Sequence, residues 1–172
     1  MRTRLFLSML LLPLIAAGLA YSQGEKKPRT VEDYRPRTLQ ELSTMLPDNF
    51  RKALDKSADG QVTRIVVHGE LFPSRVKVVY GDVTRPLLDL KDTVIAQWAN
   101  GFAGAPEFYT RSYQTEMLFT EGAESYWLAV RKDVLNREWK KGQTVELCVI
   151  KMGNVRVGDK LEPVLLVEQV IP

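Results

Sequence analysis

The chain has a single cysteine and a single histidine among its 172 residues. One cysteine excludes an internal disulfide, and one histidine excludes paired-histidine zinc sites of the His-x-x-x-His kind. Cys148 lies within the apolar run 145–150, which indicates a small buried hydrophobe rather than a reactive thiol. His68 alternates with Arg64 and Glu70, so we interpret it as a solvated strand residue rather than a base. The sequence therefore carries no recognisable catalytic, metal or cofactor signature.

The chain also lacks a strong net charge once its N-terminal segments are set aside. Residues 38–172 contain 17 Lys and Arg against 18 Asp and Glu, which is a net charge of −1. Binding to a phosphate backbone normally requires a broad positive field, so nucleic acid is an unfavoured partner. None of the four asparagines begins an Asn-x-Ser/Thr acceptor, which agrees with a bacterial protein.

What the sequence does contain is an N-terminal layout typical of a secretory signal peptide, in residues 1–22. Arg2 and Arg4 precede the apolar run Leu5–Ala20, and small residues follow. This run is shorter than the roughly 20 residues that a membrane-spanning helix needs, so we expect cleavage rather than a retained anchor and no integral span afterwards. The protein is predicted to be exported, periplasmic or extracellular, and bacterial.

Two segments separate the signal from the predicted domain. Residues 23–37 are charged and contain proline, which predicts a flexible tail. Residues 38–60 start with Thr38 and Glu41 at the spacing of a capping box and continue with periodic apolar residues, which predicts an amphipathic helix that kinks or restarts at Pro47. Its apolar face could pack on the domain itself, bind a partner or bind a membrane surface. With two tryptophans, that face forms the candidate binding surface: Leu39, Leu42, Leu46, Phe50, Leu54, Trp127 and Trp139.

From residue 61 onward the pattern changes to that of strands. Val62–Val83 predicts either one long bent strand or a hairpin, with the bend near Pro73. Apolar residues at helical spacing predict a helix over Leu88–Phe102, followed by a loop at 104–106. The remaining predicted elements are strands at Tyr113–Thr120, Tyr126–Arg131, Thr144–Met152 and Val164–Ile171, a short helix at Asp133–Lys141, and turns at Gly153-Asn154 and Gly158-Asp159.

The strand Thr144–Met152 is apolar on both faces, which is typical of a strand that is covered on both sides. We expect the short helix before it to lie over Trp127. The predicted core is Ile65, Leu128, Val130, Val145, Leu147, Val149 and Leu166.

The order of these elements resembles an OB-fold, a small Greek-key barrel with a helix between its third and fourth strands. The resemblance is topological and covers about a hundred residues, from Tyr113 to Ile171 and the strand before them. Tyr126–Val130, with the helix, the Gly-Gln turn and the apolar strand after it, also looks like the end of OB-like barrels in exported bacterial proteins of unknown role. The predicted fold is therefore α+β and β-rich, an OB-like or SH3-like barrel of five to six strands over residues 61–172, with an N-terminal amphipathic helix and an inserted helix.

These features favour an exported, non-enzymatic binding or adaptor module of the cell envelope. Its partner would be an envelope protein or a small ligand, and no cofactor is implied. One alternative is a cell-wall glycan hydrolase that uses carboxylates such as Glu107, Glu116 or Glu121. The other is an oligonucleotide-binding barrel, because basic residues surround Trp127 and Trp139.

Overall fold

The computed structural model describes residues 29–46, 65–67, 72–103, 106–158 and 160–172. A 3-10 turn at Val31–Asp33 precedes the first strand, and a π-helical turn at Ala99–Ala103 extends the second helix. The strands are β1 (Arg35–Pro36), β2 (Ile65–Val67), β3 (Ser74–Pro86), β4 (Thr115–Glu121), β5 (Glu124–Val130), β6 (Thr144–Val157) and β7 (Lys160–Ile171). The helices are α1 (Leu39–Thr44), α2 (Asp89–Trp98), α3 (Pro106–Ser112) and α4 (Lys132–Leu135).

Five strands close into a barrel in the order β3-β4-β5-β7-β6, and pairing of β3 with β6 completes the ring. Neighbours in the ring are antiparallel except β5 and β7, which are parallel. The order β6-β3-β4-β5 is a Greek key, and α4 lies between the third and fourth barrel strands. The predicted fold class, α+β and β-rich with a small barrel of five to six strands, is confirmed.

The two short strands extend the sheet beyond the ring. β1 pairs in parallel with the start of β3. β2 is antiparallel to the far half of β6, where Val67 lies opposite Gly153, and β3 is antiparallel to the near half, where Ser74 lies opposite Val149. β2 and β3 therefore follow one another along β6 as halves of a bent strand, and the hairpin interpretation is wrong.

Gly153 makes the crossing of β2, β6 and α2 possible. A Cβ atom at this position would lie 2.1 Å from the Val66 carbonyl oxygen and 2.9 Å from Cγ1 of Val94. No side chain fits at those distances, so only glycine lets the three elements approach. The sequence had predicted a turn at Gly153-Asn154, but β6 continues through both residues with a bulge between Lys151 and Gly153.

The core has two parts, one inside the barrel and one outside it. Leu147 and Val149 of β6 point into the barrel, whereas Cys148 and Ile150 point outward into a second apolar cluster beneath α2. The prediction that this strand is covered on both faces is confirmed. The predicted core residues other than Ile65, whose side chain lies outside the described part, are buried: Leu128, Val130, Val145, Leu147, Val149 and Leu166.

Both barrel ends are closed by helices. Leu39 and Leu42 of α1 are fully buried in the inner core at one end, and Val134 of α4 joins the same core at the other. The predicted capping box of α1 is present: Thr38 Oγ1 accepts from the Glu41 amide. The barrel therefore has a packed interior rather than an open lumen.

Several predicted boundaries differ from the structure. The helix predicted over 38–60 ends at Thr44, because Met45 is already extended, and its continuation after residue 46 lies outside the described residues. The short helix predicted over 133–141 is instead Lys132–Leu135. α3 begins at Pro106, the last residue of the predicted loop, and continues through residues for which no element was predicted. The predicted flexible tail is structured over Arg29–Arg37, which we call the N-terminal strap.

The N-terminal strap is fixed to β7 by polar contacts. Tyr34, only 3% exposed, donates its hydroxyl to Glu168 Oε2 at 2.5 Å. Arg29 Nη1 lies 2.9 Å from the same oxygen, and Gln169 Nε2 donates to the Arg29 carbonyl at 2.8 Å. Low local hydrophobicity had suggested disorder, but Tyr34 and the Glu168 ion pair supply the attachment.

Candidate binding site

The candidate binding residues on α1 do not form an exposed surface. Leu39 and Leu42 have no exposed area and pack inside the barrel, and Leu46 is half-buried at the end of the described segment. Phe50 and Leu54 lie outside the described residues. The described part of this apolar face therefore packs on its own domain.

Trp139 closes the barrel beside α4. Its ring makes edge contacts with Tyr80 at 5.6 Å and with Phe119 at 6.0 Å between centroids. The exposed side of the ring lines an open groove of about 320 Å³ together with Lys77 and Arg137. Because most of the ring packs on the core, we assign Trp139 mainly to closing the barrel.

Trp127 lies on the outer face of β5, not beneath the short helix as predicted. The strand alternates, so Tyr126 and Leu128 point toward the core while Trp127 points away from it. The Arg85 guanidinium carbon lies 4.1 Å from the centroid of the Trp127 ring, which is a cation–π distance. Leu118 on β4 pairs directly with Trp127 across the sheet, so these three side chains form one surface, the Trp127 platform.

Four charged side chains beneath the platform hold Arg85 in place, and we call them the charged corner: Arg85, Lys91, Glu116 and Glu162. Glu116 is fully buried; its Oε2 accepts from Arg85 Nε at 2.7 Å and its Oε1 from Lys91 Nζ at 2.6 Å. Glu162 Oε2 lies 3.0 Å from Lys91 Nζ and 3.4 Å from Arg85 Nη2. The guanidinium over Trp127 is thus fixed by two carboxylates before any ligand arrives.

The local sequence explains how these charges meet. Arg85 and Glu116 are directly opposed on β3 and β4, so their side chains share a face. Between Tyr80 and Thr84, β3 contains a bulge in which Asp82 has a φ of 59°, the one positive φ outside glycine among the described residues. Bulges redirect side chains and are frequent beside functional sites.

The outer surface of the barrel is covered unevenly. α2 packs over β6 and β7, where outward residues such as Ile150 and Leu166 are fully buried. On the β4–β5 hairpin, outward residues retain exposure: Thr120 is half-buried and Ser125 is exposed. The part of the hairpin near its turn is therefore an uncovered region of the sheet, and the Trp127 platform is on it.

Lys151 is a second fully buried cation, at the barrel end closed by α1. Its Nζ donates to the carbonyl oxygens of Leu42 at 2.6 Å and Met45 at 2.5 Å, at the C-terminus of α1. No carboxylate among the described residues forms an ion pair with it. Burial lowers the pKa of Lys151 from 10.5 to about 8. A cation at this end of a helix is favoured by the helix dipole, so Lys151 attaches α1 to the barrel.

The carboxylates considered for glycan hydrolysis are separated. Glu116 is buried in the charged corner, Glu121 accepts from the Gln40 amide at 3.1 Å, and exposed Glu107 pairs with Arg111. Glu116 and Glu121 are five residues apart on one strand, about 17 Å, whereas glycosidase carboxyl groups lie within about 10 Å. His68 and its neighbour Glu70 lie outside the described residues.

No group of three or more His, Cys, Asp or Glu side chains that could hold a metal ion occurs in residues 29–46, 65–67, 72–103, 106–158 and 160–172. The buried Cys148 thiol has a pKa raised by burial to about 11.

Among the helices described, none is long and apolar enough to cross a membrane.

The chain matches no known protein family, no curated protein and no solved structure.

The charged corner was missed at the sequence level. Lys91 lies among the acids Asp89 and Asp92 in the first turn of α2, where charged residues usually face solvent. The inward position of the Lys151 side chain could have been predicted from the sequence, because the alternation of Val145, Leu147 and Val149 places residue 151 on the same side of the strand. Arg85 could not have been paired with Glu116 without the register that the bulge sets.

Proposed function

We propose that this protein is an exported, non-enzymatic binding module of the cell envelope, and that it binds an envelope protein or a small ligand at the Trp127 platform. The observation that supports this most is the Arg85 guanidinium held over Trp127 by the buried Glu116. A planar cation and an aromatic ring, both fixed in advance, lose little conformational entropy on binding. Both residue types are enriched where binding energy concentrates.

The fold supports the same location. In OB-folds, the face of the second and third strands carries oligonucleotide and oligosaccharide sites, and β4 and β5 are the second and third strands of this barrel. Fold alone does not assign function, so the proposal depends on Trp127 and Arg85. The signal-peptide layout of residues 1–22 supports export, and the near-neutral charge of residues 38–172 disfavours a nucleic-acid ligand.

The test is site-specific photo-crosslinking in intact cells of the source organism. A photoreactive amino acid replaces Ser125, which is exposed on the platform face two residues from Trp127. A matched control carries it at Lys160, an exposed residue of β7. We expect one discrete adduct from position 125 and none from position 160.

Variants of Trp127 decide whether the platform carries the binding. Trp127→Ala should abolish the adduct, whereas Trp127→Phe should retain it because the aromatic face remains. Urea unfolding of each variant checks that the fold is intact. An adduct that survives Trp127→Ala in a folded protein, or no adduct from position 125, would rule out this site.

A further inference from the structure

Four aromatic side chains form one contiguous cluster on α2, the π-helical turn and α3, which we call the aromatic patch: Trp98, Phe102, Phe108 and Tyr109. The Trp98 ring contacts Phe102 and Tyr109 at centroid distances of 6.4 and 5.2 Å, and Phe108 contacts Tyr109 at 5.3 Å. Phe102 is 49% exposed and Phe108 is 54% exposed. Trp98 is buried beneath them, so two exposed rings sit on a packed base.

The N-terminal strap ends beside this patch. Val31 and Tyr109 pack against the same apolar cluster, which contains Tyr34. Arg29 and Glu168 are close enough to Tyr109 to act on its phenol, whose pKa is raised mainly by burial and then by Glu168. Arg29, the first described residue, therefore lies near Tyr109 of the aromatic patch.

The sequence ahead of Arg29 is suited to a lipid surface. Lys26 and Lys27 lie three and two residues before it, and the apolar run Leu5–Ala20 lies further upstream. The nine steps from Ala20 to Arg29 span at most about 30 Å. If the run stays in a bilayer, the patch is held near that surface; if it is cleaved, the two lysines remain available to anionic headgroups.

We propose that the aromatic patch lies against a membrane surface, with Phe102 and Phe108 inserted at headgroup level. Aromatic rings on a rigid base bury apolar area there at little cost in conformational entropy. The lysines add attraction to anionic lipid. This surface is separate from the Trp127 platform, so it would orient the module on the membrane while leaving the platform free.

The test places an environment-sensitive fluorophore beside the patch in the full chain. A Cβ at Gly101 would meet no atom within 4 Å, so Gly101→Cys accepts the label, and Val83→Cys on the β3 bulge is the control. Cys148 is buried with a raised pKa and stays unlabelled in the folded protein. The probe is a vesicle of phosphatidylcholine and phosphatidylglycerol that carries a lipid-attached quencher.

We expect vesicles to shift the emission of the label at position 101 to shorter wavelengths and to quench it. The emission of the label at position 83 should be unchanged. Phe102→Ser with Phe108→Ser should weaken the response by about tenfold or more. The matched pair Val83→Ser with Val157→Ser, which removes exposed aliphatic side chains elsewhere, should leave it unchanged.

Three results would overturn the proposal. The first is a position 101 label that ignores vesicles, and the second is equal responses at positions 101 and 83. The third is a shift that depends on protein concentration without vesicles, because the patch would then join two copies of the chain. Each of these results can be obtained whether or not crosslinking at Ser125 succeeds.

Discussion

Among the described residues, two lysines are buried, in two different ways. Lys91 is 1% exposed and lies between two carboxylates, with Nζ at 2.6 Å from Glu116 and 3.0 Å from Glu162. Lys151 has no exposed area and donates to two backbone carbonyls at the end of α1. The two side chains are thus equally buried, but only Lys91 has carboxylates as its partners.

The comparison shows what each site depends on. The charged corner balances two cations with two carboxylates, so removal of one member leaves an uncompensated charge in a buried place. Among the described residues, the Lys151 ammonium has only backbone carbonyl dipoles to stabilise its charge. It therefore loses its proton at a lower pH than an exposed lysine does. One site should respond most to substitution and the other to pH.

The largest effect is expected from Glu116→Gln, because it leaves the Arg85 and Lys91 cations without their shared carboxylate. We expect a loss of about 3 to 5 kcal/mol in the free energy of unfolding, measured by urea denaturation. Glu107→Gln is the matched control, since Glu107 is exposed and its pair with Arg111 is an exposed helix pair worth well under about 1 kcal/mol. Equal effects of the two variants would mean that the charged corner contributes little.

A smaller difference is expected between the two lysines themselves. Lys91→Met should cost roughly 2 to 3 kcal/mol, because Glu116 keeps only Arg85 as a partner. Lys151→Met should stay within about 1 kcal/mol of the parent protein, because the loss of two hydrogen bonds is offset by removal of a buried charge. Urea unfolding at pH 7 compares the two variants directly. A larger loss in the free energy of unfolding for Lys151→Met than for Lys91→Met would contradict this prediction.

The smallest effect is the pH dependence that Lys151 confers. The unfolded chain holds this proton up to about pH 10.5, whereas the folded protein releases it near pH 8. Unfolding therefore takes up a proton in between, and stability should rise by about 1 kcal/mol from pH 7 to pH 9. Cys148, whose folded pKa is about 11, opposes this rise above about pH 9.

Urea unfolding across pH 7 to 9 checks this rise, and Lys151→Met should flatten it. Lys151→Arg is not a usable control, because a guanidinium stays charged throughout. A parent protein with no rise, or a variant that keeps it, would show that Lys151 does not titrate in this range.

Sequence periodicity predicted the elements whose neighbours are local. The β4–β5 hairpin, the covered strand β6 and the helix α2 follow from alternation and helical spacing within one segment. The contacts that make the candidate site depend on residues far apart, such as Arg85 with Glu162 and Tyr34 with Glu168. No local pattern encodes these pairs, because register and the Tyr80–Thr84 bulge decide which side chains meet.

The N-terminal strap also shows a structural feature that local sequence does not predict. Arg29–Arg37 has too few apolar residues to predict order by composition, yet β1 pairs with β3 and Tyr34 is buried. The segment is ordered by the surface it meets rather than by its own propensity. α1 was predicted correctly at its start, where Thr38 and Glu41 form a local cap, and not at its end.

The pairing that closes the barrel also bears on how the chain folds. It joins Ser74 to Val149 and Val79 to Thr144, whereas β4 with β5 and β6 with β7 are neighbours in sequence. Closing a long loop costs entropy before the contact returns any stability, so we expect both hairpins to form before β3 meets β6, and folding to be slower than in a helical bundle of this size. Until β7, the last strand, has been synthesised the ring cannot close, and the inward apolar faces of β3, β4 and β5 stay open to water.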